Sequence, residues 1–190
     1  MNTKNTKDEI YFNFSYYALR LLGKGLYSNA WTAIAELVAN GFDANAKNVK
    51  IYINAMNKEK SVIEIFDDGY GMGYEDLVSK YTLIGRDKRD DDTIDEKTKK
   101  QLMGRKGIGK LAALYLSKKY YLISKTKKEC SAWCLNSINV KDSDLPRLDR
   151  LDEKKIKIES ASFWELNKIT PERLSSLFIS FGIKIPHMRI

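Results

Sequence analysis

Between Ala30 and Ala46 the sequence reads as a helix with two unlike faces. Glu36, Asn40 and Asp43 stand at i, i+4 and i+7, so they share one side. Trp31, Ile34, Val38 and Phe42 fall on the opposite side and are expected to meet the core. A solvated helix face would account for the acids alone, but such a face ordinarily carries long charged side chains of both signs. Here the flanks are Ala33, Ala39 and Gly41, and no Lys or Arg occurs in the segment. Small residues beside an acid–amide–acid row leave room for a ligand. An amide oxygen such as that of Asn40 suits a hard cation, and a carboxylate one turn away, Glu36, can take a proton from an attacking water. A magnesium nucleotide uses both.

Two glycine-rich turns follow. Ile63-Glu64-Ile65-Phe66 runs into Asp67-Asp68-Gly69-Tyr70-Gly71-Met72-Gly73. Glycine lets a backbone turn and approach a ligand closely, and a carboxylate at a strand end can accept from an amino group such as adenine N6. A plain Asp-Gly turn is the alternative. The spacing is not that of a dinucleotide fingerprint. Gly104-Arg105-Lys106-Gly107-Ile108-Gly109-Lys110 then precedes the apolar run Leu111–Leu114. Backbone N–H groups at a helix start make an anion site. The wording approaches a P-loop, but Leu111 stands where Ser or Thr would hold magnesium, and the residues before it are not a strand. Either a phosphate loop of another type or a helix that merely begins after glycines fits.

The remaining pattern is that of one domain. A helix is expected over about 9–22, with Ile10, Phe14, Tyr17, Ala18 and Leu21 on one face and Gly23 and Gly25 ending it. Strands are expected at 49–55 and 62–66, joined as a hairpin, and at 120–124, 132–138 and 163–169. Short helices fit 75–81 and the stretch after Gly109 through Ser117, and Thr170-Pro171 starts a last one. The long polar segment from Gly85 to Gln101 fits a lid or binding loop.

With 190 residues, 43% of them hydrophobic, the chain can bury one core. No apolar run approaches the roughly 18 residues of a membrane span, and Met1–Phe14 lacks the apolar stretch of a secretory leader. Cys130 and Cys134 with the single His187 give no zinc pattern, and the lack of a disulfide framework suits a cytoplasmic setting. The net charge is +8, and from Lys97 to Lys128 there are eleven Lys or Arg and no acid. That stretch is a solvated basic face or a partner for phosphates, of a nucleotide or of nucleic acid.

Order and type of the three constellations resemble the ATPases of the gyrase B, Hsp90, histidine kinase and MutL (GHKL) superfamily. Glu36-Leu37-Val38-Ala39-Asn40 through Asp43-Ala44 resembles its N-box, Asp67 to Gly71 its adenine motif, and Gly104 to Gly109 its second glycine box. The likeness is close over about 31–126, and the wording of the glycine box is similar to that of MORC-like and prokaryotic Hsp90-like proteins. It implies a Bergerat fold: an α+β two-layer sandwich, a mixed sheet with helices on one face, and a mobile ATP lid over about 85–106. By the same resemblance Asp67 reads the adenine amino group, with Gly69, Gly71 and Met72 beside it. Asn40 holds Mg2+, with Asp43 on the same face. Lys106, Gly107, Ile108, Gly109 and Lys110 meet the phosphates, and Glu36 activates water. Relatives carry a Gly-Thr pair near the adenine, where this chain reads Ser160-Ala161-Ser162.

The implied activity is Mg-dependent ATP binding and slow hydrolysis, driving a conformational or dimerisation switch within a longer protein. Histidine kinases of this fold typically lack a hydrolytic Glu in this place, so Glu36 favours an ATPase. The partners expected are ATP and ADP, downstream domains that supply a Lys or Arg, a second copy, and nucleic acid through the basic stretch; no membrane is expected. A nucleotide sensor without turnover and an ATP-independent nucleic-acid module are the competing readings.

Overall fold

The computed structural model describes residues 9–11, 14–56, 61–85, 102–103, 107–152, 154, 156 and 182–184. In chain order these form β1 (Glu9–Tyr11), α1 (Tyr16–Leu26), α2 (Ala30–Asp43), β2 (Val49–Asn54) and β3 (Val62–Asp67). Helix α3 (Tyr74–Asp76) continues as a π-helical turn, Leu77–Tyr81. A 3-10 turn, Gly109–Leu111, leads into α4 (Ala112–Leu116), followed by β4 (Lys119–Lys125), β5 (Cys130–Asn136), β6 (Arg147–Leu151) and β7 (Gly182–Lys184).

The strands form a five-stranded sheet in the order β1-β6-β5-β4-β7 and a two-stranded sheet, β2-β3. All of these pairings are antiparallel, and β3 lies against β7, so the two sheets adjoin there. Alternation in β4 sends Tyr120, Leu122 and Ser124 inward, and every residue of β3 is buried. Of these, Ile63, Ile65, Tyr120 and Leu122 share one core with Leu37, Leu111, Ala112, Ala113 and Leu116 of the helical layer and the fully buried Trp133. Helices packed as a layer on antiparallel strands make the α+β class expected from the sequence.

Local chemistry sets the helix limits. Ser15 caps α1 by accepting from the Ala18 N–H, and Asn29 caps α2 by accepting from the Thr32 N–H at 3.0 Å. At the other end of α2, Asn45 takes φ 61°. The Asn45 N–H donates to the Phe42 carbonyl and the Ala46 N–H to that of Gly41, the paired bonds of a Schellman stop. The helix therefore ends at Asp43, short of the expected Ala46.

Two expectations are corrected. Residues 9–11 are a strand against β6 rather than the start of a helix, and α1 passes through Gly23 and Gly25 to Leu26. Glycine costs about 1 kcal/mol in a helix, and the buried Gly23 lies against Leu114 of the helix after the second glycine box, where a Cβ would make ordinary contact at 3.5 Å. The buried positions of α1 are Tyr16, Leu19 and Gly23, while Tyr17 and Leu21 are exposed. On α2, Ile34 is buried, but Trp31 is 72% exposed and Phe42 42%. The helix buries Ala33, Ile34, Leu37 and Gly41 instead, and Trp31, Val38 and Phe42 line an open apolar groove with Ile51 and Met103. Strand β6 was not expected, because three of its five residues are charged and only Leu148 is deeply buried. The strand expected at 163–169, the helix after Thr170, Ser160–Ser162 and most of the lid at 85–106 lie outside the described residues.

Candidate nucleotide site

Helix α2 stands between the two glycine motifs and touches both. On one side Gly41 faces Asp67 at the end of β3. A Cβ at Gly41 would lie 2.9 Å from the Asp67 Cβ and 3.0 Å from Val49 Cγ2, so only glycine lets the helix come this close. On the side of the polar stripe, a Cβ at Gly109 would lie 3.1 Å from Asn40 Nδ2 and 3.2 Å from Glu36 Oε2. The backbone of the second glycine box thus rests on the amide and the carboxylate that the helical spacing singled out. Asp43 closes the row: its Oδ1 accepts from the Met103 N–H at 2.8 Å, and its carbonyl accepts from the Tyr70 hydroxyl. One helix brings three segments, far apart in sequence, to a common place.

Asp67 is buried, at 2% exposure, and its Oδ1 accepts from the Gly69 N–H at 3.0 Å. Gly69 itself sits tightly on Ala44, and Gly71 turns the chain with φ 69° into Met72. The neighbouring acid does different work. Asp68 accepts from the Lys47 and Asn48 N–H groups and from the Asn48 side chain, and these bonds hold its carboxyl below the usual carboxylate range against the opposing effect of desolvation. It pins the loop between α2 and β2, and so the register of the strand that ends in Asp67.

Gly107 adopts φ 60°, and Ile108 leads into the turn at Gly109–Leu111. Tyr27, buried under this loop, donates its hydroxyl to the Ile108 carbonyl at 3.3 Å and meets the Tyr115 ring edge-on at 5.6 Å. Burial first, and the Glu36 charge second, push the Tyr27 hydroxyl up to about 12, so it remains a donor at neutral pH. Lys110 points its ammonium at the carbonyls of Lys80 (2.9 Å) and Leu83 (2.5 Å), over the face of Tyr81. That cation therefore joins the phosphate-loop candidate to the C-terminal end of the helix after Gly73, where the helix dipole favours positive charge. Lys106 lies outside the described residues.

Periodicity and motif spacing singled out Glu36, Asn40, Asp43, Asp67 and Gly109, which the structure gathers at or against α2. They did not locate Tyr27, which sits alone between two helices. Nor did they find the contact role of Gly41, although its position, one residue after Asn40 inside a helix, was the available signal. The donor set also bears on magnesium. Among the described residues no three His, Cys, Asp or Glu side chains cluster as a metal site. A hard cation here would draw on the Asn40 amide oxygen and otherwise on phosphate and water oxygens, which suits an ion carried by a nucleotide.

Comparison with known proteins gives the family. The family described as "Histidine kinase-, DNA gyrase B-, and HSP90-like ATPase" matches residues 27–171, and the chain belongs to that family. It is similar to a protein named "Putative type II restriction enzyme HgiDII" from Herpetosiphon aurantiacus, 42% identical over 100 residues covering 53% of this chain and 15% of that protein. It is also similar to "Chaperone protein HtpG" from Baumannia cicadellinicola subsp. Homalodisca coagulata, 32% identical over 120 residues covering 53% of this chain and 19% of that protein. The chain thus spans less than a fifth of the length of these two relatives. Among the described residues no helix is long and apolar enough to cross a membrane.

Proposed function

We propose that this domain binds Mg-ATP between α2 and the two glycine loops, and hydrolyses it slowly to drive a conformational or dimerisation switch in a larger protein. The observation that carries the reading is the seating of Gly109 on Glu36 and Asn40, opposite the seating of Gly41 on Asp67. Asp67 accepts a hydrogen bond from the adenine amino group, and Gly71 lets the Met72 backbone come close to the base. The N–H groups about Gly107, Ile108 and Gly109 meet the phosphates. Asn40 supplies the protein oxygen to magnesium, and Asp43 holds the segment at Met103 against the stripe. Glu36, one turn from Asn40, takes the proton from the attacking water. Phosphoryl transfer also requires positive charge on the γ-phosphate. Because the Lys110 ammonium is already held by two carbonyls, that charge comes from another segment, a following domain or a second copy.

The test is calorimetric binding of Mg-ATP to this chain, paired with turnover by the wild type and by Glu36→Ala. Binding retained and turnover lost supports an ATPase with Glu36 as base. Binding without turnover in either form, even in the full-length protein, makes the domain a sensor.

A second reading concerns the substrate of the larger protein. The relative named as a restriction enzyme, together with Lys118, Lys125, Lys127 and Lys128 at one end of the β4–β5 hairpin or near its start, favours nucleic acid. DNA binding that weakens steeply with salt would support it.

A further inference from the structure

We infer that the β4–β5 hairpin is the positioning element of the adenine loop, acting through Ser124 and Glu129. The inference rests on the reading that Asp67–Met72 receives adenine. Ser124 lies on β4, wholly buried, with its hydroxyl bonded to the loop. Its hydroxyl accepts from the Met72 N–H at 2.7 Å and donates to the Met72 carbonyl at 3.0 Å. One side chain, far away in sequence, thereby satisfies both polar groups of the residue that follows the positive-φ turn at Gly71.

The hairpin holds the same loop a second time. Glu129, just before β5, accepts from the Tyr74 N–H at 2.8 Å and packs so closely on Gly73 that any Cβ there would meet its carboxylate. Thr126 orients this turn by accepting from the Lys128 and Glu129 N–H groups. The loop leaving Asp67 is consequently fixed at both Met72 and Tyr74 by a strand pair that carries none of the ligand-binding motifs. A loop that turns through glycines has little stiffness of its own; these bonds supply it, and adenine affinity depends on them.

The experiment compares the wild-type chain with Ser124→Ala by calorimetry with ATP and ADP, by steady-state turnover, and by amide exchange at Met72. A hydrogen bond of this kind is worth roughly fivefold in a local equilibrium, and part of the pair's effect reaches the ligand, so Kd should rise roughly tenfold. The rise should be equal for ATP and ADP, because the loop faces the base and not the γ-phosphate. Turnover at saturation should be unchanged, the Met72 amide should exchange faster, and Ser124→Thr should restore affinity. Ser124→Ala affinity within twofold of wild type, or loss of turnover at saturation with affinity intact, overturns the inference. Should circular dichroism show Ser124→Ala unfolded, Glu129→Ala carries the test: it removes an exposed acceptor and should weaken ATP and ADP equally, by about threefold. A wild-type chain that binds no adenine nucleotide refutes the adenine reading itself, a result in which Ser124 plays no part.

Discussion

Replacing Gly41 by alanine adds a single methyl group to the least accommodating place in the site. The new carbon would lie 2.9 Å from the Asp67 Cβ, 3.0 Å from Val49 Cγ2 and 3.4 Å from the Asp67 Cγ. Neither near atom is the far end of a flexible side chain, so α2 or the end of β3 must move, by about 0.5–1 Å to regain ordinary contact. Overpacking of this kind costs about 1–3 kcal/mol. The better helix propensity of alanine returns about 1 kcal/mol, so the variant should fold with a net loss near 1 kcal/mol. The consequence for binding is larger. Asp67 would be displaced relative to Gly69 and Gly71, and a charge-assisted bond to the adenine amino group is worth roughly 1.5–3 kcal/mol. The expectation is a ten- to hundredfold loss of ATP affinity with only a modest shift in the urea midpoint. Titration calorimetry and equilibrium unfolding measure the two separately. ATP affinity within twofold of wild type in a folded Gly41→Ala chain would refute the claim that the α2–β3 contact holds the adenine carboxylate.

Three further outcomes are expected. Asp67→Asn should lower ATP affinity by one to two orders of magnitude and leave the far-ultraviolet spectrum unchanged, which calorimetry and circular dichroism check together. Glu36→Ala should bind nucleotide nearly as wild type and lose roughly 10² to 10⁴ in turnover, a split visible by comparing Kd with kcat. Burial pushes the Tyr81 hydroxyl up to about 12, although its bond to Tyr120 at 3.0 Å works the other way. The folded state therefore keeps a proton that the unfolded chain loses near pH 10, and stability falls as pH rises from about 10 to 12, by up to roughly 2–3 kcal/mol. Tyr81→Phe should flatten that decline in denaturant titrations at successive pH values; an unchanged slope would count against it.

Why some of this was legible in the sequence and some was not comes down to what periodicity encodes. The stripe Glu36, Asn40, Asp43 was readable because a polar row with small flanks has few explanations, and the loops were readable because their glycines mark turns. The core face of α2 was misjudged for a related reason. Of the face expected to be buried, Ile34 is buried and Val38 packs partly against the core, while Trp31 and Phe42 stay exposed and Ala33, Leu37 and Gly41 are buried beside it. The buried face is turned by the approach to Asp67 and Val49, and Gly41 is the position of α2 where that approach admits no side chain. Sequence periodicity gives the angle between stripes but not which stripe faces the strands. That choice is made by the close approach at Gly41, which leaves Trp31 and Phe42 outside and sets Asp67 against the residue that follows Asn40 in the helix.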